Sequence, residues 1–313
     1  MKKIFRLGTR GSPLALIQAQ IVRDELLRVC ALGPESCEIQ IVPIRTSGDW
    51  QPNHKEQSFL ELGGTKGLFT KEIEEALLSG VIDFAVHSMK DVSVYVPEGL
   101  TFAAILERGD PRDALLSPIA PCLEDLPQGA RIGTSSLRRR SQLLAARPDL
   151  TIVPLRGNVD TRMRKLAAEE ADATVLAVAG LARLGVLERA ASIFDTSVML
   201  PAAAQGCLGI ETRKNDPEVY EWVRLANHAV SEACMKAERA LLRVLDGSCR
   251  TPIAALARIE TPDIFKMDGL VAKPDGSRVI RRSLSGILSD PERLGTELGE
   301  MIKKETPSDF FDM

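Results

Sequence analysis

Residues 131–185 read RIGTSSLRRRSQLLAARPDLTIVPLRGNVDTRMRKLAAEEADATVLAVAGLARLG, and this stretch repeats one local pattern three times. Each repeat begins with a short strand, at 131–132, 151–155 or 172–178, and continues through a turn into a helical segment. Apolar strands that alternate with amphipathic helices are typical of parallel βα units. In such sheets the ligand-binding loops lie at the carboxyl ends of the strands. We therefore expect an α/β fold whose functional residues follow these strands.

The same order of elements extends toward the amino terminus. Strands are predicted at 4–7, 38–44 and 82–86. Ser12-Pro13 predicts the start of a helix, because serine caps helices well and proline suits the first helical position. Thr70 is expected to cap a second helix that ends near Gly80. The polar segment 46–64 has no clear period, so we expect a mobile loop or lid there.

A different pattern follows a predicted helix at 231–245. Segments 253–260, 264–272 and 277–284 are expected to be strands, with Pro-Asp-Gly at 274–276 as the turn between the last two. A closing helix is expected at 291–304. The predicted fold class is therefore α/β, with two α/β domains and a smaller C-terminal α+β domain that has a three-stranded sheet.

Composition excludes several classes of protein. The chain has 313 residues, 44% hydrophobic and 27% charged, as is typical of a globular protein with more than one domain. A net charge of −3 gives no general attraction to nucleic acid. The longest uncharged run, 196–210, is too short to span a membrane, and early arginines argue against a signal peptide. Neither the six cysteines nor the three histidines are spaced as metal ligands, so we predict no metal site and a cytoplasmic location.

Arginine is the densest chemical signal in the sequence. Of the 40 basic residues 27 are arginine, including nine of the ten between 131 and 183. Arginine binds carboxylates and phosphates through two parallel hydrogen bonds. The arginines follow several separate strands, which suits a ligand with several carboxylates better than a single phosphate. The alternative is that each helix simply has a solvated basic face.

Three single residues each have a structural and a functional interpretation. Asp91 follows a strand in HSMKD, where a local pair with Lys90 is the simpler explanation. Cys249 lies next to a cation in DGSCR, and a cation favours the nucleophilic thiolate, although most single cysteines are inert. His87 ends an apolar strand and has no evident partner, so we expect it to be structural.

Several segments together resemble the porphobilinogen deaminase family, also called the hydroxymethylbilane synthase family. They occur in family order between residues 9 and 255 and include TRGSPLALIQA (9–19), DFAVHSMKDV (83–92), IGTSSLRRR (132–140), LRGNVDTR (155–162) and GSCRTPIAA (247–255).

The resemblance implies two domains like those of periplasmic binding proteins, followed by a third. Domain 1 comprises 1–106 with 207–224, domain 2 comprises 112–200, and domain 3 comprises 229–313. The implied reaction is the head-to-tail condensation of four porphobilinogen molecules, with loss of ammonia, on a covalently attached dipyrromethane. Hydrolysis then releases the linear tetrapyrrole hydroxymethylbilane. The implied protein is a monomer whose partner is the small molecule porphobilinogen, with neither nucleic acid nor a membrane.

The resemblance also assigns roles to individual residues. It implies that a thioether joins the dipyrromethane to Cys249, although this chain has Gly247-Ser248 where the family usually has two glycines. It makes Asp91 the carboxylate that stabilises positive charge on pyrrole nitrogens and relays protons, in place of the local pair. The residues matched to the cofactor are Lys90, Thr134, Ser135, Ser136, Arg138 and Arg139. Those matched to the substrate are Arg10, Ser12, Lys66, Arg156, Arg162 and Arg183.

Two other functions compete with this one. A non-catalytic bilobal protein that binds an anionic small molecule would use the same arginines, but it would leave Asp91 and Cys249 without a purpose. A transferase acting on a phosphate ligand would use the helix start at 134–136, but the GxxxxGK[ST] pattern is absent. Only the deaminase requires a covalent adduct, so the intact mass of the protein distinguishes it from both.

Overall fold

The computed structural model describes residues 3–29, 37–47, 70–247, 251–261, 264–307 and 310. They divide into two units, the first from 1–107 with 208–229 and the second from 108–207 with 230–313. Of the expected loop 46–64, only Thr46 and Ser47 belong to the described residues. The expectation of a lid therefore falls on residues outside them.

The strands and helices alternate along most of the chain. The strands are β1 (Lys3–Arg10), β2 (Cys37–Ile44), β3 (Phe84–Ser88), β4 (Leu100–Ile105), β5 (Asp113–Leu116), β6 (Arg131–Gly133), β7 (Thr151–Val153), β8 (Ala173–Ala177), β9 (Ser192–Ile193), β10 (Leu208–Arg213), β11 (Ile253–Thr261), β12 (Ile264–Ala272) and β13 (Val279–Gly286). The helices are α1 (Pro13–Val29), α2 (Lys71–Leu78), α3 (Leu137–Ala146), α4 (Val159–Ala167), α5 (Val178–Arg183), α6 (Pro217–Arg224), α7 (Ala229–Val244) and α8 (Pro291–Glu305).

The starts of the first two helices differ in how they are capped. The Ala15 backbone N–H donates to Ser12 Oγ at 3.3 Å, directly before Pro13 opens α1, so the predicted cap is confirmed. Thr70 precedes α2, but its side chain makes no capping hydrogen bond and its ψ is −25°. Thr70 therefore occupies the predicted N-cap position of α2, but the hydrogen bond expected of a capping side chain is not formed.

The first unit contains a mixed five-stranded sheet in the order β2-β1-β3-β10-β4. β1 is parallel to both β2 and β3, as the sequence predicts, whereas β10 is antiparallel to β3 and β4. The sheet is mixed because the chain returns after more than 100 residues to insert β10. On one face, Phe5 of β1 stacks on Trp222 of α6 at 4.3 Å between ring centroids. On the other face, Ile73 and Leu77 of α2 are fully buried.

The second unit contains two sheets. The first has the order β7-β6-β8-β5-β9, with β6 parallel to β7 and β8, and with β5 antiparallel to β8 and β9. The second is antiparallel, in the order β11-β12-β13, and packs against α8. Gly276, with φ of +74°, completes the predicted turn between β12 and β13. Two α/β sheets and a C-terminal three-stranded sheet confirm the predicted fold class. None of the helices in the described ranges has the length and apolar character needed to cross a membrane.

Candidate functional site

A cavity in the first unit lies where β1 and β3 end. The two strands are parallel neighbours, so their carboxyl ends lie at the same edge of the sheet. Ser12 follows β1, and a short 3-10 turn, Met89–Asp91, follows β3. The cavity has a volume of about 460 Å³, including space open to solvent. It is lined by Thr9, Arg10, Ser12, Leu14, Ala15, Gln18, Thr70, Val86, His87, Ser88 and Asp91.

The cavity brings together three of the predicted site residues. Arg10 is half-buried, Ser12 lies at the start of α1, and Asp91 is exposed in the 3-10 turn with the half-buried Lys90 beside it. A guanidinium and a carboxylate that line one cavity can bind a ligand that carries both signs of charge. The arrangement therefore suits a small molecule with carboxylates and a region that becomes cationic during a reaction.

His87 has a buried partner that the sequence did not indicate. Its Nε2 lies 3.0 Å from Glu211 Oε2, and the two side chains are 4% and 1% exposed. The sequence showed no evident partner of triad type for His87, and the fold supplies Glu211 as a buried one. Glu211 lies on β10, 124 residues further along the chain, so no local pattern could have revealed the pair.

The remaining predicted residues of the second unit lie along one edge of its α/β sheet. β6 is parallel to its neighbours β7 and β8, so residues that follow these strands share that edge. Thr134, Ser135 and Ser136 connect β6 to α3, where Ser136 Oγ accepts from the Arg139 backbone N–H. Arg156 and Arg162 lie around the start of α4, and Arg183 ends α5.

Two buried arginines of α3 share a single carboxylate. Arg138 Nη2 and Arg139 Nη2 lie 2.8 and 2.7 Å from the two oxygens of Asp113, which is fully buried on β5. Burial lowers the pKa of Arg138, and Arg139 lowers it further, although Asp113 opposes this. Asp113 is a second residue to which the sequence gave no role, because its pairing with two arginines of α3 depends on a contact between distant segments.

Two arginines at this edge, Arg139 and Arg183, are not fully matched by hydrogen-bond acceptors or carboxylates among the described residues. Arg139 Nε is buried and has no hydrogen-bond acceptor among the described residues. Arg183 Nη2 donates to the Gly206 carbonyl at 2.6 Å, and no carboxylate pairs with Arg183 in the described part of the chain. Burial lowers the pKa of Arg183. Buried cations without matching anions are costly, so the arrangement suits an anionic ligand.

Two predicted residues, Lys66 and Cys249, lie outside the described residues. Two buried cysteines within the described ranges, Cys207 and Cys234, do not resemble reactive thiols. Burial raises the pKa of both Cys207 and Cys234 to about 12, which keeps these thiols protonated.

Comparison with known proteins covers almost the entire chain. The family described as "Porphobilinogen deaminase, dipyromethane cofactor binding domain" matches residues 5–221. The family described as "Porphobilinogen deaminase, C-terminal domain" matches residues 232–304. Among solved structures, a nutrient binding protein from Burkholderia cenocepacia bound to methionine is similar, with a TM-score of 0.44 and 16% identity over 71% of this chain and 91% of that one.

Individual relatives are similar over nearly their full length. Porphobilinogen deaminase of Nitrobacter winogradskyi is 46% identical over 307 residues, which are 98% of this chain and 95% of the relative. The enzyme of Lawsonia intracellularis is 48% identical over 99% of this chain and 97% of the relative. The chloroplastic enzyme of Pisum sativum is 46% identical over 99% of this chain and 84% of its own length. The chain therefore belongs to the porphobilinogen deaminase family.

Proposed function

We propose that this chain, an enzyme of tetrapyrrole biosynthesis with porphobilinogen deaminase activity, uses the cavity of its first unit to bind and activate porphobilinogen. The observation that carries this assignment is that Arg10, Ser12 and Asp91 line one cavity. Porphobilinogen is a pyrrole with an acetate, a propionate and an aminomethyl group. It needs donors for its carboxylates and a carboxylate for the cation that forms from it.

Asp91 stabilises that cation. Breaking the bond between the methylene carbon and the amine leaves the pyrrole electron-poor, and the positive charge spreads to its nitrogen. A fixed carboxylate near this nitrogen lowers the energy of the transition state, because it is already oriented when the charge develops. Arg10 and Ser12 bind carboxylates of the substrate, and the proposed role of Arg156, Arg162 and Arg183 is to bind carboxylates of the substrate and the growing chain. Lys66 has the same role by family resemblance.

The residues of the second unit fit the carboxylates of a dipyrromethane cofactor. Among the described residues, Asp113 is the carboxylate that pairs with both Arg138 and Arg139, and Arg139 Nε has no hydrogen-bond acceptor there. We propose that Lys90, Thr134, Ser135, Ser136, Arg138 and Arg139 hold the cofactor and that Cys249 attaches it through a thioether. When bound, the cofactor supplies the free pyrrole α-carbon at which chain growth starts. After four additions, hydrolysis releases hydroxymethylbilane.

We also propose that the enzyme works as a cytoplasmic monomer of three domains, with the boundaries 1–106 with 207–224, 112–200 and 229–313. Three separate sheets, each with its own hydrophobic core, support this division. A C-terminal family match that begins at residue 232 also supports it.

The test is to follow ammonia and linear tetrapyrrole when the purified protein is given porphobilinogen. The proposal predicts one ammonia per porphobilinogen consumed and four per hydroxymethylbilane. Arg139→Lys should reduce cofactor loading, because a point charge cannot replace the planar guanidinium, whereas Arg164→Lys, exposed on α4, should load normally. Binding of porphobilinogen without release of ammonia would overturn the function and favour a non-catalytic binding protein.

A further inference from the structure

Asp113 lies at the edge of the sheet where β6, β7 and β8 end. β5 is antiparallel to β8, and Asp113, the first residue of β5, lies opposite Ala177, the last residue of β8. An antiparallel neighbour brings its amino end to the edge at which a parallel strand brings its carboxyl end. On the other side, the Phe194 backbone N–H donates to the Asp113 carbonyl at 2.9 Å. Strand pairing on both sides therefore fixes the backbone of Asp113 at this edge.

A buried amide holds the side chain of Asp113. Gln205 is 1% exposed, and its Nε2 donates to Asp113 Oδ1 at 3.0 Å and to the Pro111 carbonyl at 2.7 Å. Asp113 is itself fully buried. A carboxylate that is hydrogen-bonded and packed in this way keeps one orientation. It has no exposed surface to offer a ligand, so it acts on one through the side chains that it contacts.

The two arginines that Asp113 contacts differ in how the protein holds them. Arg138 Nη2 lies 2.8 Å from Asp113 Oδ2, and Arg138 Nη1 donates to the Leu200 carbonyl at 2.8 Å. Arg139 Nη2 donates to Asp113 Oδ1 at 2.7 Å, whereas Arg139 Nε is buried and has no acceptor in the described part of the chain. Arg138 thus has a second anchor besides Asp113, and Arg139 has a donor that the protein does not use.

Neutralisation of buried charge alone does not explain this arrangement. Within the described ranges one carboxylate serves both guanidiniums, and Arg139 Nε still lacks an acceptor. A buried donor without a partner costs free energy, and in a folded protein it calls for an explanation such as a bound ligand. A carboxylate ligand would supply the missing acceptor. Because the guanidinium is planar, the contact of Nη2 with Asp113 also restricts the direction of Nε–H.

We propose that Asp113 is the residue that positions the Arg139 guanidinium for a carboxylate of the dipyrromethane, and that Gln205 fixes Asp113 for this purpose. The inference rests on the cofactor site assigned above. Asp113 is a positioning residue, since its effect on the cofactor passes through Arg139. A long side chain that is already oriented loses less conformational freedom when the ligand binds, so the ligand binds more tightly.

The test is a double-mutant cycle on cofactor loading, with Asp113→Asn, Arg139→Lys and the double variant. Each protein is produced in cells that make no porphobilinogen and is then given it, and intact mass follows the adduct. Asparagine can accept from one arginine, but its amide nitrogen is a second donor and repels the other. Asp113→Asn should slow loading roughly 10–100-fold, the effect of one charge-assisted hydrogen bond.

The informative comparison is between the two backgrounds. Lysine at 139 has no planar fork to orient, and Arg138 keeps its anchor at Leu200. The double variant should therefore load at nearly the rate of Arg139→Lys alone. A merely structural carboxylate would slow loading by the same factor in both backgrounds, and that result would overturn the inference.

Two more variants separate positioning from a general loss of ion pairs. Asp149→Asn removes a carboxylate that pairs with Arg147 at 2.8 Å, beyond the other end of α3, and should load normally. Gln205→Met keeps the charges around Asp113 but removes the donor that fixes it, so it should load more slowly than wild type. It provides the same test if Asp113→Asn does not fold. Normal loading by Gln205→Met would overturn its assigned part.

One measurement needs only the wild type to fold. The ¹⁵N–¹H resonance of Arg139 Nε, assigned by its absence in Arg139→Lys, should move downfield between unloaded and loaded wild type, because Nε gains a carboxylate acceptor. An unchanged resonance would overturn the inference. A wild-type protein that releases no ammonia from porphobilinogen would instead overturn the function on which the inference rests, so the two can fail separately.

Discussion

Two substitutions of Asp91 can separate the effect of its charge from the effect of its shape. Asp91→Asn keeps the size of the side chain and removes its charge, whereas Asp91→Glu keeps the charge and moves it by one methylene. If Asp91 stabilises a cation, the Asn variant should lose roughly 10²–10³-fold in rate and the Glu variant should keep a measurable fraction. The measurement is single-turnover consumption of porphobilinogen by variants that carry the cofactor.

The Asp91 variants should also fold normally, because the side chain is exposed in a short turn. Equal unfolding midpoints for wild type and both variants are the control. A loss of less than tenfold in the loaded Asn variant would remove Asp91 from the mechanism and restore the local pair with Lys90 as its explanation.

The raised pKa of Glu74 makes the stability of the protein depend on pH. Burial raises its pKa above the ordinary value, so the folded protein holds this proton more tightly than the unfolded chain does. Stability is therefore lost as pH rises from the unfolded pKa through the folded pKa. Glu74→Gln cannot ionise, so it should be more stable than wild type at neutral pH and equal to it in acid, below the ordinary carboxyl pKa.

Urea unfolding at neutral and acidic pH measures this difference. Glu75→Gln, on the exposed side of α2, is the matched control and should not differ from wild type at either pH. A Glu74→Gln variant less stable than wild type at neutral pH would contradict the assigned cost of burial.

At the scale of elements, two glycines with the same backbone geometry should respond differently to alanine. Gly276 and Gly129 have φ of +74° and +75°. A Cβ at Gly276 would lie 2.6 Å from the Ala145 backbone nitrogen, whereas one at Gly129 would meet nothing within 4 Å. Gly129→Ala should cost only the left-handed strain, about 1–2 kcal/mol. Gly276→Ala should cost a further 1–3 kcal/mol or so, because α3 must move away.

The free energy of unfolding in urea, measured for both variants, compares the two positions directly. We expect Gly276→Ala to lose more unfolding free energy than Gly129→Ala. Equal losses would mean that the turn between β12 and β13 moves away from α3 at no cost.

The local sequence predicted the positions of strands and helices better than it predicted how the strands pair in sheets. The alternation of apolar residues located the strands of the C-terminal sheet to within a few residues, and Ser12-Pro13 located the start of α1. The strand predicted at 82–86 is found at Phe84–Ser88, because Asp83 accepts hydrogen bonds from the backbone and side chain of Arg6 just before it. The antiparallel insertion of β10 depends on contacts between distant segments, which a local period cannot reveal.

For the whole molecule, one buried carboxylate connects three segments of the second unit. Glu238 of α7 is fully buried and accepts from both terminal nitrogens of Arg108, at 2.6 and 3.1 Å. It also accepts from the backbone N–H groups of Ala204 and Ala257. Arg108→Met would leave this carboxylate buried without its cation. The expected loss is about 3–5 kcal/mol of unfolding free energy.

Arg131→Met is the matched control for Arg108→Met, because Arg131 pairs with Asp172 on the surface. Exposed ion pairs contribute little to stability, so the Arg131→Met variant should unfold at the same temperature as the wild type. Thermal unfolding of the two proteins side by side makes the comparison. A similar midpoint for both variants would show that Glu238 does not need its arginine.

The site was predictable for residues to which the family resemblance gives a role, and not for the residues that pair with them. Arg10, Ser12 and Asp91 came from matched segments, and the structure places them around one cavity. Glu211 and Asp113 were missed, although each pairs with a residue that the sequence had already singled out. Both are carboxylates on strands, and their importance comes only from which side chain the fold brings to them.

The covalent attachment at Cys249 is the central claim, and the intact mass of the purified protein tests it most directly. The wild type should be heavier than its sequence by one dipyrromethane, with the added mass on the peptide that contains Cys249. Cys249→Ser should have the sequence mass and almost no activity, because oxygen is the poorer nucleophile and the anchor is lost. A wild-type protein that has its bare sequence mass and still makes hydroxymethylbilane at the full rate would contradict the account.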